Sequence, residues 1–435
     1  MNTRNATGTN FLILCDFDGT VSTKDTVNRL VREHILGSEW RFHVKRYMRG
    51  EIGSKEVYEE VGPTMRMDPA QLREFVQRHA ELDPGFPAFL EWARELGIDV
   101  KIVSDGFDAT IHALLDMHGI GDVEIFANRL EFRGNGRVTL GSPHSDSECG
   151  RCGTCKRGIV ERFRNLYDKI VLIGDGESDR HAAAEADVVV ALNELFVYCA
   201  RRGIPAIRAD GFGEIPHLLT RRIDAIAFDM DGTLIDSLET ITDSFNHMFT
   251  VLGYPLMTVE EVARKTSISL KDFVHSYLKP EEAERGISIF RDYYDAVYLE
   301  KTSLMPGVTE TLESLDGKIV KGVVTNKRGH YARRLADEFS LTDGMARIIG
   351  AQDGFRAKPA GDMFVEFMRS AGTTCENTVY VGDSPIDVHA ARNACIDAFA
   401  VAGPIFSAEE LALNGARRVL RSIEELPEAI LPVIP

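Results

Sequence analysis

Phe11-Leu-Ile-Leu-Cys-Asp-Phe-Asp-Gly-Thr20 and Ile223-Asp-Ala-Ile-Ala-Phe-Asp-Met-Asp-Gly-Thr-Leu234 decide the fold, because the chain states the same pattern twice. Each is a short apolar run ending in Asp-x-Asp-Gly-Thr, as a buried strand does when it gives way to a turn. Asp16 and Asp229 stand 213 residues apart. A second pair of signatures, Gly174-Asp-Gly-Glu-Ser-Asp179 and Gly382-Asp-Ser-Pro-Ile-Asp387, repeats at an offset of 208. Two matched signatures at nearly one offset imply a duplicated domain of about 210 residues, not a short solenoid period. Gly213, Pro216 and Arg221-Arg222 precede the second apolar run, which places the boundary near there and predicts units of 1–217 and 218–435.

Strand and helix patterns alternate within each unit. Buried strands are expected at Phe11–Cys15, Val100–Val103, Ile170–Ile173 and Val188–Ala191, then at Ala225–Phe228, Ile319–Val324, Thr378–Val381 and Ala398–Val401. Asp68-Pro69 and Asp83-Pro84 each open a helix with a capping carboxylate and a proline at its start. Further helices are expected at Arg328–Phe339 and Asp362–Ala371, and a hairpin at Arg129–Phe132 and Val138–Leu140 around Gly134-Asn-Gly136. This alternation predicts an α/β fold of two tandem, doubly wound parallel-sheet domains, which bind ligands at the carboxyl ends of their strands. Residues 22–83 and 237–303 break the alternation. They read as helices only, the shape of a cap laid over each strand-end site.

Composition narrows the function. The 435 residues are 44% hydrophobic and 27% charged, and the formal net charge is −17. That balance opposes a nucleic-acid or anionic-membrane coat. No apolar run approaches the roughly 20 residues of a membrane span, and Phe11–Leu14 is too short for a signal peptide. Seven cysteines, an odd number, do not read as a secreted disulfide framework. A cytoplasmic protein is expected, with oligomeric state left open.

Asp16 and Asp18 lie two apart on an extended segment, so both side chains can leave one face. One can act as nucleophile and the other as acid and base. Asp175, from another strand end, can share a divalent cation with Asp16, and hard carboxylate oxygens suit Mg²⁺. Lys156 adds positive charge and Ser104 a hydroxyl, which together make a pocket for a phosphoryl group in an acidic protein.

In both copies the chain resembles the haloacid dehalogenase superfamily of phosphatases, whose motifs follow in order. They are Asp16-Phe-Asp18-Gly-Thr20, Ser104, Lys156 and Gly174-Asp175-Gly-Glu-Ser-Asp179, then Asp229-Met-Asp231-Gly-Thr233, Thr325-Asn326, Lys358-Pro359 and Gly382-Asp383-Ser-Pro-Ile-Asp387. The resemblance implies hydrolysis of small phosphorylated metabolites through an aspartyl phosphate. Asp16 or Asp229 would attack phosphorus, and Asp18 or Asp231 would protonate the leaving alcohol and then activate water. It also implies Mg²⁺ held by the first Asp, the backbone carbonyl of the second, and Asp175 or Asp383, with Asp179 and Asp387 in the outer shell or as further ligands. Thr20, Gly106, Thr233 and Asn326 fall at positions expected to meet substrate. Asp25 falls where phosphoserine phosphatases bind substrate, or else it caps a helix. The first half is similar to phosphoserine phosphatases and, through Pro143-His-Ser and the cysteines before Lys156, to 2-hydroxy-3-keto-5-methylthiopentenyl-1-phosphate phosphatases. The second half looks like phosphoglycolate phosphatases, a pattern shared with mutases. One half could therefore be a phosphoryl transferase or a regulatory module. Phosphonate-cleaving relatives place a Schiff-base lysine near Lys265, which with Asp231 present reads as a solvated helix lysine.

Cys149-x2-Cys152-x2-Cys155, with His144 five residues earlier, has the spacing of four zinc ligands. Ordinary packing could position Lys156 equally well. Cys199, Cys375 and Cys395 sit in apolar stretches and are expected to be buried thiols.

Overall fold

Phe11–Cys15 (β1) is buried along its whole length and pairs in parallel with a neighbour on each side, so it becomes the centre of a sheet. In the computed structural model, residues 9–35, 40–265 and 270–434 are described. Residues 1–8, where a leader would begin, lie outside them. The chain divides into two compact units, Met1–Thr220 with Val433–Pro435, and Arg221–Pro432.

The first unit adds Asp99–Phe107 (β2), Glu124–Phe132 (β3), Val138–Gly141 (β4), Lys169–Gly174 (β5), Val188–Ala191 (β6) and Ala206–Arg208 (β7). Their order is β4-β3-β2-β1-β5-β6-β7, parallel except for β4, which closes the expected hairpin against β3. Asp68 caps Pro69–His79 with a full capping box. The helix after Asp83-Pro84 starts later than expected, at Phe86, because Asp83 Oδ1 accepts the Gly85 N–H (2.8 Å) and turns the chain first. Val27–His34, Trp40–Met48, Ser54–Val61 and Pro69–His79 fill the cap segment.

The second unit contains Ala225–Phe228 (β8), Ile235–Asp236 (β9), Ser303–Leu304 (β10), Val320–Arg328 (β11), Met345–Ala351 (β12), Thr378–Gly382 (β13), Asp397–Val401 (β14) and Arg418–Leu420 (β15). Six of them form a parallel sheet in the order β12-β11-β8-β13-β14-β15. Its cap consists of Leu238–Leu252, Val259–Ala263, Leu270–Tyr277 and Pro280–Val297, around an apolar core that includes Phe245, Met248, Phe273 and Phe290. The antiparallel pair β9 and β10 joins the two chain crossings into this cap, a ladder the sequence did not announce.

Strands β2 and β11 run past their expected ends, through Ser104 and Thr325, with register shifts after Val103 and Val324. Such irregularities re-aim side chains beside functional sites. Cys199 is buried and Cys375 half-buried, but Cys395 is exposed, correcting the expectation of a core thiol. It follows the last turn of Pro385–Asn393 in a left-handed conformation (φ 57°), which lifts it out of the apolar layer. No described helix is long and apolar enough to cross a membrane.

Candidate active sites

Each central strand delivers its first aspartate into the space where the sheet ends. The Asp16 N–H donates to the Ile173 carbonyl (2.8 Å), and the Asp229 N–H to Val381 (2.8 Å), so β5 and β13 fix where each carboxylate emerges. Gly19 and Gly232 then turn the chain at φ +78° and +82°. A Cβ at either would stand 2.3 Å from an oxygen of Asp175 or Asp383, so the turn lets that carboxylate lie against backbone.

In the first unit the buried Lys156 ammonium lies 2.6 Å from Asp16 Oδ1 and 2.6 Å from Asp179 Oδ1, and donates to Ser178 Oγ (2.8 Å). Asp179 Oδ2 accepts the N–H groups of Asp175 and Gly176 (both 3.2 Å), so it holds the loop and the lysine together. In the second, Lys358 lies 2.9 Å from Asp229 Oδ1 and 2.7 Å from Asp387 Oδ1, and its third partner is Tyr380 Oη (2.8 Å). Oxygens of Asp16, Asp175 and Asp179 all lie within 4.8 Å of one another, as do those of Asp229, Asp383 and Asp387. Three carboxylates against one ammonium leave two negative charges, which a divalent cation with oxygen preference fits.

The electrostatics point the same way. Burial, then the charge of Asp179, pushes Asp16 well above the usual carboxylate range, against the pull of Lys156. Burial pushes Asp175 and Asp229 up to about 6. Asp383 is raised further by burial and by Asp387 and Asp229. Both lysines stay protonated despite burial because two carboxylates face each.

Asp18 and Asp231 take other hydrogen-bond partners. Asp18 Oδ1 accepts both the N–H (2.7 Å) and the hydroxyl (2.6 Å) of Thr26. Asp231 Oδ1 accepts the Ser237 hydroxyl and pairs with Lys327 (2.7 Å). Neither belongs to the carboxylate triads. Ser104 and Thr325 are buried where β2 and β11 bend. Gly106 donates to Ser104 Oγ (2.9 Å), and a Cβ on it would reach Asp18, Val27 and Ser104 within 3.0 Å. Thr20 and Thr233 donate toward Asp175 (3.4 Å) and Asp383 (3.5 Å). Asn326 clamps Lys358 through both backbone groups, accepting its N–H (2.7 Å) and donating to its carbonyl (3.1 Å). Exposed Asp25, one residue before the N-cap Thr26, accepts from the Asn28 N–H (3.2 Å) and side chain (2.6 Å).

The proposed zinc set does not assemble. Cys149 and Cys152 sulfurs lie 3.6 Å apart, but the His144 ring packs edge-on against Phe126 (5.1 Å), with the charges of Arg162 and Arg129 around it. Among the described residues only the two aspartate triads bring three ligand atoms together. What the cysteine loop does is structural: the Cys155 sulfur accepts the Gly158 N–H (3.4 Å) and caps the helix Lys156–Phe163 that presents the lysine.

Comparison with known proteins agrees with this geometry. The description haloacid dehalogenase-like hydrolase matches residues 13–184 and again residues 226–401. The chain is 33% identical over 190 residues to the 2-hydroxy-3-keto-5-methylthiopentenyl-1-phosphate phosphatase of Brevibacillus brevis, covering 83% of that protein and 42% of this chain. The chain belongs to the haloacid dehalogenase-like hydrolases. A second relative of this family, the phosphatase of the same name from an Exiguobacterium species, is 32% identical over 210 residues, 94% of its length and 47% of this chain. A solved structure of a candidate phosphoglycolate phosphatase from Lactobacillus delbrueckii subsp. bulgaricus is 28% identical, with TM-score 0.45, over 48% of this chain and 99% of that one.

Lys327, Tyr380, Thr26 and Ser237 were not singled out from the sequence of this hydrolase. Lys327 follows Thr325-Asn326 directly, and that adjacency to a motif was the one available signal.

Proposed function

We propose that each unit hydrolyses phosphate monoesters of small metabolites with Mg²⁺, through an aspartyl phosphate on Asp16 or Asp229. The carrying observation is the repeated constellation: a buried carboxylate at a central strand end, an ion-paired lysine, two further carboxylates, and a separate aspartate two residues on. In the first unit the Asp16 carboxylate attacks phosphorus while Asp18 gives its proton to the departing alcohol. Asp18 then takes a proton from the water that cleaves the acyl phosphate, which returns Asp16. Ser104 would donate to a phosphoryl oxygen, and Lys156 would offset its charge. Asp16, Asp175 and the Asp18 carbonyl would hold Mg²⁺, which supplies charge neutralisation at the phosphoryl group. Asp229, Asp231, Thr325, Lys358 and Asp383 take the corresponding roles in the second unit. Seven free cysteines fit a reducing compartment, the cytoplasm.

The test is a phosphate-ester panel that includes the substrate named for the first unit's relatives, run with Asp16→Asn and Asp229→Asn proteins. Each change should remove one subset of Mg²⁺-dependent activities and spare the other, with inorganic phosphate as product. Transfer to a sugar acceptor, or variants that leave turnover untouched, would overturn the two-site reading.

A further inference from the structure

The second unit holds a cavity of about 590 Å³ that runs from Asp229 and Lys358 up into its cap. Cavities of roughly 300–1,000 Å³ suit ligands far larger than a two-carbon ester. Its cap side is walled by Phe245, Phe273, Phe290, Tyr294 and Tyr331, all buried, and the same wall carries Arg291. Flat apolar walls of this kind favour aromatic or similarly flat bodies and penalise a small, fully charged molecule stripped of its water.

Arg291 is the anomaly among the cavity's cations. Lys327 is paired with Asp231, Lys358 with Asp229 and Asp387, Arg328 with Gln352, and Lys265 with the Tyr277 hydroxyl, whose ring it also covers. Half-buried Lys265 is thus no solvated helix lysine, whereas Lys271 is exposed to water. The Arg291 Nε is buried and has no hydrogen-bond partner among the described residues. A guanidinium offers a planar fork of donors matched to carboxylate or phosphate oxygens, and a buried donor is costly to leave unmade. Arg291 lies one helical turn before Tyr294, whose ring sits 5.3 Å from the Nζ of Lys327, the partner of Asp231.

We propose that the second site takes phosphate monoesters of a flat, apolar alcohol that carries a second anionic group, and that Arg291 receives this group. This rests on the reading that the site hydrolyses phosphate monoesters.

The test uses the full-length Asp16→Asn protein, so that turnover reports the second unit. Its substrates are phosphoglycolate, phenyl phosphate, 4-carboxyphenyl phosphate and 1,4-phenylene bisphosphate. One doubly anionic aryl ester should exceed phenyl phosphate at least tenfold in kcat/KM, and which one does so tells carboxylate from phosphate. Phosphoglycolate should be the poorest of the four. Arg291→Gln should cut the preference for the second anion at least tenfold, and Arg291→Lys should restore part of it. Phosphoglycolate matching the aryl esters, or a preference untouched by Arg291→Gln, would overturn the proposal. If no ester is turned over, the hydrolysis reading of this site fails by itself. Calorimetric binding of 4-(phosphonomethyl)benzoate then decides the inference: binding weakened tenfold by Arg291→Gln supports it, and equal or absent binding refutes it.

Discussion

The Thr26 hydroxyl donates to Asp18 Oδ1 across 2.6 Å, and its backbone N–H donates to the same oxygen across 2.7 Å. Thr26 directly precedes the first helix of the cap segment, whereas Asp18 leaves the central strand, so one contact ties the start of the cap to the proposed acid. Both bonds favour the charged carboxylate. Burial opposes them and prevails, and Asp18 is pushed up to about 6.

A pH dependence follows for the first unit. Protonation of the leaving alcohol needs Asp18 in its acid form, so formation of the phosphoenzyme should decline as pH rises through about 6. Thr26→Val keeps the shape and the N–H but removes the hydroxyl. A hydrogen bond to a charged group is worth about 1.5–3 kcal/mol and one pKa unit about 1.4 kcal/mol, so the decline should move up by about one to two pH units. Single-turnover measurements across pH on the Asp229→Asn protein would show it, and an unmoved profile would remove Asp18 from the acid role.

Metal binding should depend on pH with a definite sign. Asp175 and Asp229 are pushed up to about 6 by burial, against about 4 in the unfolded chain. Between those values the folded state binds more protons, so without metal these groups lose stability as pH rises through the window. A cation that neutralises the carboxylates reverses the loss. The gap in melting temperature between Mg²⁺-loaded and EDTA-treated protein should therefore widen from about pH 5 to about pH 7. At 100 times Kd, each site contributes about 2.7 kcal/mol. Asp175→Asn and Asp383→Asn should each remove one site's share, and a gap that is constant with pH would contradict the account.

The parts of this architecture legible in the sequence were those carried by local pattern. Asp16 and Asp229 end uniform apolar runs, and the turn residues around Asn135 mark the hairpin. What escaped depended on partners far along the chain. Lys327 and Asp231 are separated by 96 residues, so their pairing left no local trace. Tyr380 read as one more buried strand residue, because burial of its ring conceals a hydroxyl bonded to Val324, Lys358 and Asp387. Ser104 and Thr325 lie in polar stretches that no two-residue alternation would continue as strand. His144 had the spacing of a ligand, yet the parallel bridge between His144 and Thr154 sets its ring on Phe126 instead. Spacing constrains which residues can meet, and backbone direction decides which do.

The turn glycines offer a sharp structural test. Gly19→Ala or Gly232→Ala would put a methyl 2.3 Å from a carboxylate oxygen, at a φ that L-residues rarely adopt. The backbone cost alone is about 1–3 kcal/mol. Displacement of Asp175 or Asp383 should also abolish that unit's Mg²⁺-dependent turnover while the other unit continues. Loss of both activities together, or of neither, would show that the turn does not set the metal carboxylate.

Tyr380 separates the two lysine environments. Its hydroxyl donates to the Val324 carbonyl (2.8 Å) and meets the Lys358 ammonium (2.8 Å), where the first unit uses the exposed Ser178. Tyr380→Phe leaves the buried Val324 carbonyl and one Lys358 proton without the tyrosine hydroxyl. That should cost the second unit about 1–3 kcal/mol of stability. It should also free Lys358 to shift toward Asp387, away from the phosphoryl position, so kcat at the second site should fall more than KM rises. The matching change, Ser178→Ala, replaces a group nearer solvent, where water can take over the lost bond, and should lower first-site kcat much less. Equal losses in the two units would mean that the tyrosine serves only to fill the core.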